Sequence, residues 1–236
     1  MNDTAAVNRT AVVTGSAILD ADHPVRGLIV DWGGVLTRDI GEVSQAWATS
    51  EGIDLDVYSG VLRDWLGEPA GLEARFNPIH ALERGEIEIG DFESRLAAEM
   101  SLRTGRSFRH EGFLDAMFAA LESAHDMVGL VRRAHEAGIR TGLLSNSWGN
   151  SYPRDGWDEM FDVVVISGEV GMRKPERRIF EHTLTLMDLD GTQCAFVDDL
   201  RHNIVAAKDL GIIGVHHRDY DTTAGELEAL FGLPLA

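Results

Sequence analysis

The sequence predicts an α/β protein, with a parallel-sheet core and an all-helical segment inserted after the first strand. Three observations carry this. Short apolar runs near residues 27–30, 139–144, 163–166, 195–197 and 212–216 each meet a polar or glycine-rich break, as buried parallel strands do. Beyond about residue 124 these runs alternate with helical patterns, which implies right-handed crossovers and a parallel sheet. Between about 42 and 122 there is no convincing strand, only apolar residues at helical spacing.

The elements follow in order. Leu28, Ile29 and Val30 form the first strand, which empties into Asp31-Trp32-Gly33-Gly34. A carboxylate there sits where open α/β sheets keep their ligands, at the carboxyl end of a strand. Helical patterns follow over 43–48, 57–66, 78–82, 92–100 and 113–121, punctuated by Gly52, Gly67, Gly85 and Gly105. Asp91 reads as the N-cap of the fourth. A helix over 127–136 stops at Gly138. The strand over 139–144 runs into Ser145-Asn146, and that over 163–166 into Ser167-Gly168. A helix over 176–187 has Pro175 at its start. The strand over 195–197 runs into Asp198-Asp199, before a helix over 204–210, a strand over 212–216 and a last helix over 224–230. Polar groups from four strands would thus converge at one sheet edge. The expected organisation is a poorly ordered extension over 1–26, a core of 27–40 and 123–236, and a helical insertion over 41–122.

Composition bounds the function. The chain has 236 residues, 44% hydrophobic and 25% charged, as in an ordinary globular protein. Its formal net charge of −18 opposes binding to nucleic acid or anionic lipid, so neither is an expected partner. An anionic substrate would need a metal and a local cation. Only two lysines occur, Lys174 and Lys208, against a background of arginine, which hints that Lys174 is wanted as a compact point charge. The single cysteine, Cys194, reads as a small buried hydrophobe. No apolar stretch is long enough to span a bilayer, and residues 1–26 do not resemble a secretion signal, so cytoplasm is the expected location.

Four motifs stand in a chemically sensible order: Asp31-Trp32-Gly33-Gly34-Val35-Leu36, Ser145-Asn146-Ser147, Gly171-Met172-Arg173-Lys174-Pro175-Glu176, and Val197-Asp198-Asp199. Together they resemble the haloacid dehalogenase superfamily of phosphotransferases, over about residues 27–217. The place of the helical segment matches the helical cap of that family's first subfamily, on a Rossmann-like core. The resemblance implies a Mg²⁺-dependent phosphatase acting on a small phosphorylated metabolite, with sugar phosphates favoured. Asp31 would attack phosphorus and form an aspartyl-phosphate. Asp31, Asp198, Asp199 and the Gly33 carbonyl would supply the oxygen ligands of Mg²⁺. Asp199 would be the more direct ligand of the two. Ser145, Asn146, Gly34 and Lys174 would contact the substrate, with Lys174 offsetting charge on the transferred group.

The departure is Gly33. Most phosphatases of the family carry a second aspartate there, which protonates the leaving oxygen. Glucose-1-phosphatase-like members, which this chain also resembles around Leu82-Glu83-Arg84-Gly85-Glu86, lack it as well. The epoxide hydrolase N-terminal phosphatases are a second similar group. L-2-haloacid dehalogenases also lack the acid, because halide leaves without a proton, but they need no Mg²⁺ and carry no paired metal carboxylates. A dehalogenase is therefore the first alternative, and a non-catalytic binding module the second.

Blander readings stand beside these. Asp198-Asp199 could only cap the helix that follows. Trp47, Trp65 and Phe76 read as core of the insertion, and His202, His216 and His217 as surface or strand-end residues rather than metal ligands. Trp148 and Asn150 follow Ser145 closely enough to be candidates for substrate contact. Oligomeric state is not legible in the sequence.

Overall fold

The computed structural model describes residues 19, 23–38, 40–50, 52–66, 77–119, 121–149 and 152–236. Most of the expected N-terminal extension, with Gly67, Phe76 and Asn150, lies outside the described residues. The described chain joins the fold before the first strand. The Leu19 N–H donates to the Ala137 carbonyl, and the Arg26 N–H donates to that of Gln193.

Five parallel strands form one sheet in the order β3-β2-β1-β4-β5. They are β1 (Gly27–Val30), β2 (Arg140–Ser145), β3 (Val163–Ile166), β4 (Cys194–Asp198) and β5 (Ile213–His216). The whole of β1 is buried, as a central strand covered on both faces must be. In register, Val30 stands opposite Leu143 of β2 and Val197 of β4. Asp31 therefore leaves the sheet beside Asp198. The chain order reverses between β1 and β4, and at such a switch point a crevice opens at the carboxyl ends of the strands.

Two apolar layers cover the sheet. One packs α6 (His125–Glu136) and α10 (Tyr220–Phe231) through Met127, Leu130, Leu227 and Phe231. The other packs α8 (Arg177–Met187) and α9 (Arg201–Lys208) through Ile179, Phe180 and Ile204. The short α7 (Ser167–Val170) closes the end of β3.

The insertion consists of α1 (Ile40–Ser50), α2 (Leu55–Leu66), α3 (Pro78–Glu83), α4 (Ile89–Thr104) and α5 (Phe113–Ala119). Its apolar residues form their own cluster, with Trp47 edge-on to Tyr58 and Phe113 at 5.3 and 5.6 Å. Burying Phe92 at its centre stabilises this cluster by about 2–3 kcal/mol. The two crossings to the core run antiparallel, joined by a bridge between Thr37 and Ser123.

Several boundaries differ from expectation. The last helix starts at Tyr220 rather than 224, because the Asp219 side chain caps it by accepting the Thr222 N–H. Asp91 does not cap its helix. The chain turns helical after the extended Glu88, which leaves Asp91 in the first turn, where its charge still favours the helix N-terminus. The helix after Asp198-Asp199 starts at Arg201 rather than near 204, because the Asp198 carboxylate already engages the Leu200 N–H at 2.8 Å.

Candidate active site

The polar ends of the strands converge as their register requires. Lys174, 1% exposed, places its ammonium 2.8 Å from Asp31 Oδ1 and 2.7 Å from Asp198 Oδ2. Asp31 Oδ1 also accepts the Trp32 N–H at 2.7 Å, which fixes the carboxylate at the start of its loop. Carboxylate oxygens of Asp31, Asp198 and Asp199 lie within 4.8 Å of one another, an oxygen-rich set suited to a hard cation. No histidine or cysteine joins them among the described residues.

The three carboxylates are not equivalent. Asp198 is fully buried and its oxygens are occupied. Oδ1 accepts from Leu200 N–H and from Asn203 Nδ2, and Oδ2 from Lys174 and Asn203 Nδ2. Asp199 is half-exposed and borders a cavity of about 410 Å³ with Gly34, Thr37 and His216. Its backbone is held from β5, where the His216 Nε2–H donates to the Asp199 carbonyl at 2.8 Å and the His217 N–H to that of Asp198 at 3.0 Å.

The electrostatics follow from burial. Asp31 is held well above the usual carboxylate range, first by burial and then by Asp198 and Asp199, with Lys174 opposing. Burial works against the charge on Lys174, but Asp198 and Asp31 outweigh it and raise its pKa above the ordinary lysine value. An added cation would hold the Asp31 carboxylate in its charged form.

The remaining candidates are placed as follows. Ser145 ends β2 with its Oγ 2.9 Å from the hydroxyl of Tyr152. The Asn146 side chain grips the Lys174 peptide: its Oδ1 accepts the Lys174 N–H at 2.8 Å and its Nδ2 donates to the Lys174 carbonyl at 3.0 Å. That side chain therefore positions the lysine. The Gly34 N–H donates to Thr37 Oγ1 at 3.1 Å. Its φ of +72° and the 2.6 Å between an added Cβ and Asp199 Oδ2 reserve the position for glycine. Gly33 precedes it in the same loop.

A second buried polar cluster joins the insertion to these loops. Glu83, at the end of α3, accepts from Arg173 Nε and, at 3.2 Å, from Trp148 Nε1. The Glu83 carbonyl accepts from Ser167 Oγ, which itself accepts the Ser147 N–H at 2.7 Å. Arg84 pairs with Glu176 at 2.9 Å. Gly85 crosses so close to the core that an added Cβ would stand 2.6 Å from the Gly168 carbonyl. Trp148 thus serves the joint, with its ring 5.7 Å from Phe92 of α4. Trp47 and Cys194 are buried, His217 bonds Thr223, and Trp65 packs on Phe92.

Sequence reasoning missed Tyr152, Asn203, Glu83 and Arg173 as members of the site. Asn203 alone had a local signal, one helical turn beyond Asp198-Asp199. Glu83 and Arg173 meet across 90 residues, and Tyr152 reaches Ser145 across an irregular loop.

The model for the haloacid dehalogenase-like hydrolases matches residues 25–211. The sesquiterpene phosphatase astK of Aspergillus oryzae is 29% identical over 158 residues, 64% of this chain and 77% of that protein. Acyl-CoA dehydrogenase family member 10 of Mus musculus is 29% identical over 219 residues, covering 89% of this chain but only 19% of its own length. The enzyme bt-2542 of Bacteroides thetaiotaomicron, solved in complex with magnesium and inorganic phosphate, is similar at a TM-score of 0.58. That match has 20% identity and covers 82% of this chain and 94% of the other, a likeness of fold alone.

Proposed function

The chain belongs to the haloacid dehalogenase-like hydrolase family and is a hydrolase, and we propose that it is a cytoplasmic, Mg²⁺-dependent phosphatase of a small phosphorylated metabolite. The observation that carries this is the Lys174 ammonium held between Asp31 and Asp198, with Asp199 completing a close carboxylate set. Displacing a halide needs no such oxygen cluster. Attack on an anionic phosphate does, because a carboxylate must approach a dianion. The kinship with a sesquiterpene phosphatase supports the same reading.

In this proposal Asp31 is the nucleophile and forms an aspartyl-phosphate. Its Oδ1 is held by Trp32 and Lys174, so the carboxylate is oriented before substrate arrives. Lys174 and the Ser145 hydroxyl meet the phosphoryl oxygens. Asn146 fixes the backbone that presents Lys174. Asp31 and Asp199 would hold Mg²⁺, together with the Gly33 carbonyl. Asp198, already occupied by Asn203, Leu200 and Lys174, would act mainly by holding Lys174 in place. Bound Mg²⁺ would supply the positive charge that lets two anions meet. Gly34 would act as a spacer that leaves room for Asp199.

Sugar phosphates are the first substrate class to test. The net charge of −18 supports a small-molecule partner over nucleic acid or membrane. Among the described residues no helix is long and apolar enough to cross a membrane. A single cysteine suits a reducing compartment. The test is phosphate release from a panel of phosphorylated metabolites with and without EDTA, alongside chloride release from 2-chloropropionate. Phosphate release lost in EDTA and restored by Mg²⁺ is the expected result. Chloride release insensitive to EDTA would replace the phosphatase with a dehalogenase.

A further inference from the structure

Position 33 carries no side chain, so the nucleophile's loop offers no proton to a departing oxygen. An alkoxide is a strong base and leaves badly unless it is protonated as the bond breaks. Few groups near Asp31 carry a proton they could give. The Lys174 ammonium is committed to Asp31 and Asp198, which raise its pKa. Ser145 is an aliphatic alcohol, no more acidic than the alcohol it would have to protonate. The His216 Nε2–H is spent on the Asp199 carbonyl, and the His217 ring is bonded to Thr223.

Among the described residues Tyr152 stands out by its link to Ser145. Its hydroxyl stands 2.9 Å from Ser145 Oγ. Its ring is clamped edge-on between Trp32 and Trp157, each 5.8 Å away between centroids. Trp32 directly follows the nucleophile, so this clamp ties the phenol to the Asp31 loop. If Ser145 donates to a phosphoryl oxygen, Tyr152 is the donor of the bond between them, which places the phenol proton one hydrogen bond from the phosphoryl group. Burial raises the Tyr152 pKa, partly offset by Ser145, and Asp31 adds to the rise. The phenol thus keeps its proton at neutral pH, and phenols as a class are stronger acids than aliphatic alcohols.

Resting on the phosphatase reading above, we propose that Tyr152 protonates the leaving oxygen in place of the acid missing at Gly33. In the first step Asp31 bonds to phosphorus while the bond to the leaving oxygen breaks. That oxygen keeps the bonding pair and takes the Tyr152 proton, giving the free alcohol and a tyrosinate. In the second step water attacks the aspartyl-phosphate and gives a proton to the tyrosinate. Inorganic phosphate, the Asp31 carboxylate and neutral Tyr152 result. The chemistry is selective. An alkoxide is much more basic than a tyrosinate and gains from the transfer, whereas a nitrophenolate is less basic and gains nothing.

The test is Tyr152→Phe, which keeps the ring between Trp32 and Trp157. kcat/KM is measured with Mg²⁺ for a series running from p-nitrophenyl phosphate to simple alkyl monoesters. General acid catalysis contributes roughly 10²–10⁴-fold, so the alkyl esters should lose about that factor while the nitrophenyl ester loses less than about tenfold. Equal losses across the series overturn the proposal and leave Tyr152 as a residue that orients Ser145. A wild-type enzyme inert toward every ester in the series overturns the phosphatase reading, and this proposal with it. Should Phe disturb the fold, a ring-fluorinated tyrosine at 152 is nearly isosteric and a stronger acid. It should change the alkyl-to-nitrophenyl rate ratio, and an unchanged ratio in that folded protein overturns the proposal as well.

Discussion

Arg173 and Lys174 are neighbours in the chain, and each buries its charge against carboxylates, but in two different regions. Lys174 turns to the edge of the sheet, to Asp31 and Asp198. Arg173 turns to the insertion, to Glu83 at the end of α3. The insertion-side cluster is closed: the Glu83 oxygens are taken by Arg173 and Trp148, and its carbonyl by Ser167. At the sheet edge Asp31 is held through one oxygen, the Trp32 N–H and the Lys174 ammonium both meeting Oδ1. The first arrangement can fasten two layers together, whereas the second leaves a carboxylate oxygen to react. Because the two cations share a peptide bond, the joint also helps to set where Lys174 stands.

The sheet edge should therefore respond to substitution with loss of turnover rather than loss of fold. Asp31→Asn should retain the fold and bring phosphate release to background, because an amide cannot form the phospho-enzyme. Turnover by the purified variant would remove Asp31 from its assigned role. Lys174→Ala should lower kcat by a factor on the order of 10² to 10³, the scale of one preorganised transition-state contact. Lys174→Arg should recover little, since a planar fork does not fit a point-charge site between two carboxylates. Full recovery would show that net charge alone is required there.

The joint should respond in the opposite way. Glu83→Ala leaves Arg173 buried without its carboxylate, a loss that costs about 3–5 kcal/mol. For a chain of this size that is roughly 10 °C in Tm. Activity should fall less than stability, through a displaced Lys174 loop. Arg173→Met in the same background removes the stranded charge and should restore part of the Tm. Calorimetry of the single and double variants checks this. If Glu83→Ala melts like the wild type, the two layers are held together by apolar packing instead.

This contrast also explains what was legible. Asp31, Asp198 and Asp199 follow apolar runs, so strand periodicity places them at one edge, whereas Lys174 lies on no strand and is joined to them in the sequence through the resemblance of its motif. Register also explains why Val30 stands beside Val197 and brings Asp31 next to Asp198. Glu83 lies 90 residues from Arg173 and Tyr152 lies beyond a turn from Ser145, and no spacing rule connects either pair. The direction of the Asn146 side chain was hidden for a different reason. An amide can face a ligand or a peptide, and the choice depends on the Lys174 loop folding back on β2. The Asp91 cap failed locally, because an extended Glu88 competes for the same helix start.

The smallest expected effect is a pH dependence of the joint. His80 lies on α3, near Arg173 and Arg84. Burial first, and then these two cations, lower its pKa from 6.5 to about 4, with Glu176 opposing. The sign follows from which state binds the proton more readily. Above pH 6.5 neither the folded nor the unfolded chain protonates this ring, and His80 leaves stability unchanged. Between pH 6.5 and about 4 the unfolded chain takes up the proton and the folded chain does not, so stability falls as pH falls. Below about 4 both states are protonated and the penalty stops growing. His80 is only partly buried, so solvent screens it and the effect should be modest. Other groups titrate over the same range, and the difference between wild type and His80→Gln isolates this one. Thermal melts at half-unit steps from pH 7 to 4 should show the wild type losing more Tm than His80→Gln. Most of the divergence should fall between pH 6.5 and 4. Parallel curves would mean that neither burial nor the charges of Arg173 and Arg84 penalise the protonated ring in the folded chain.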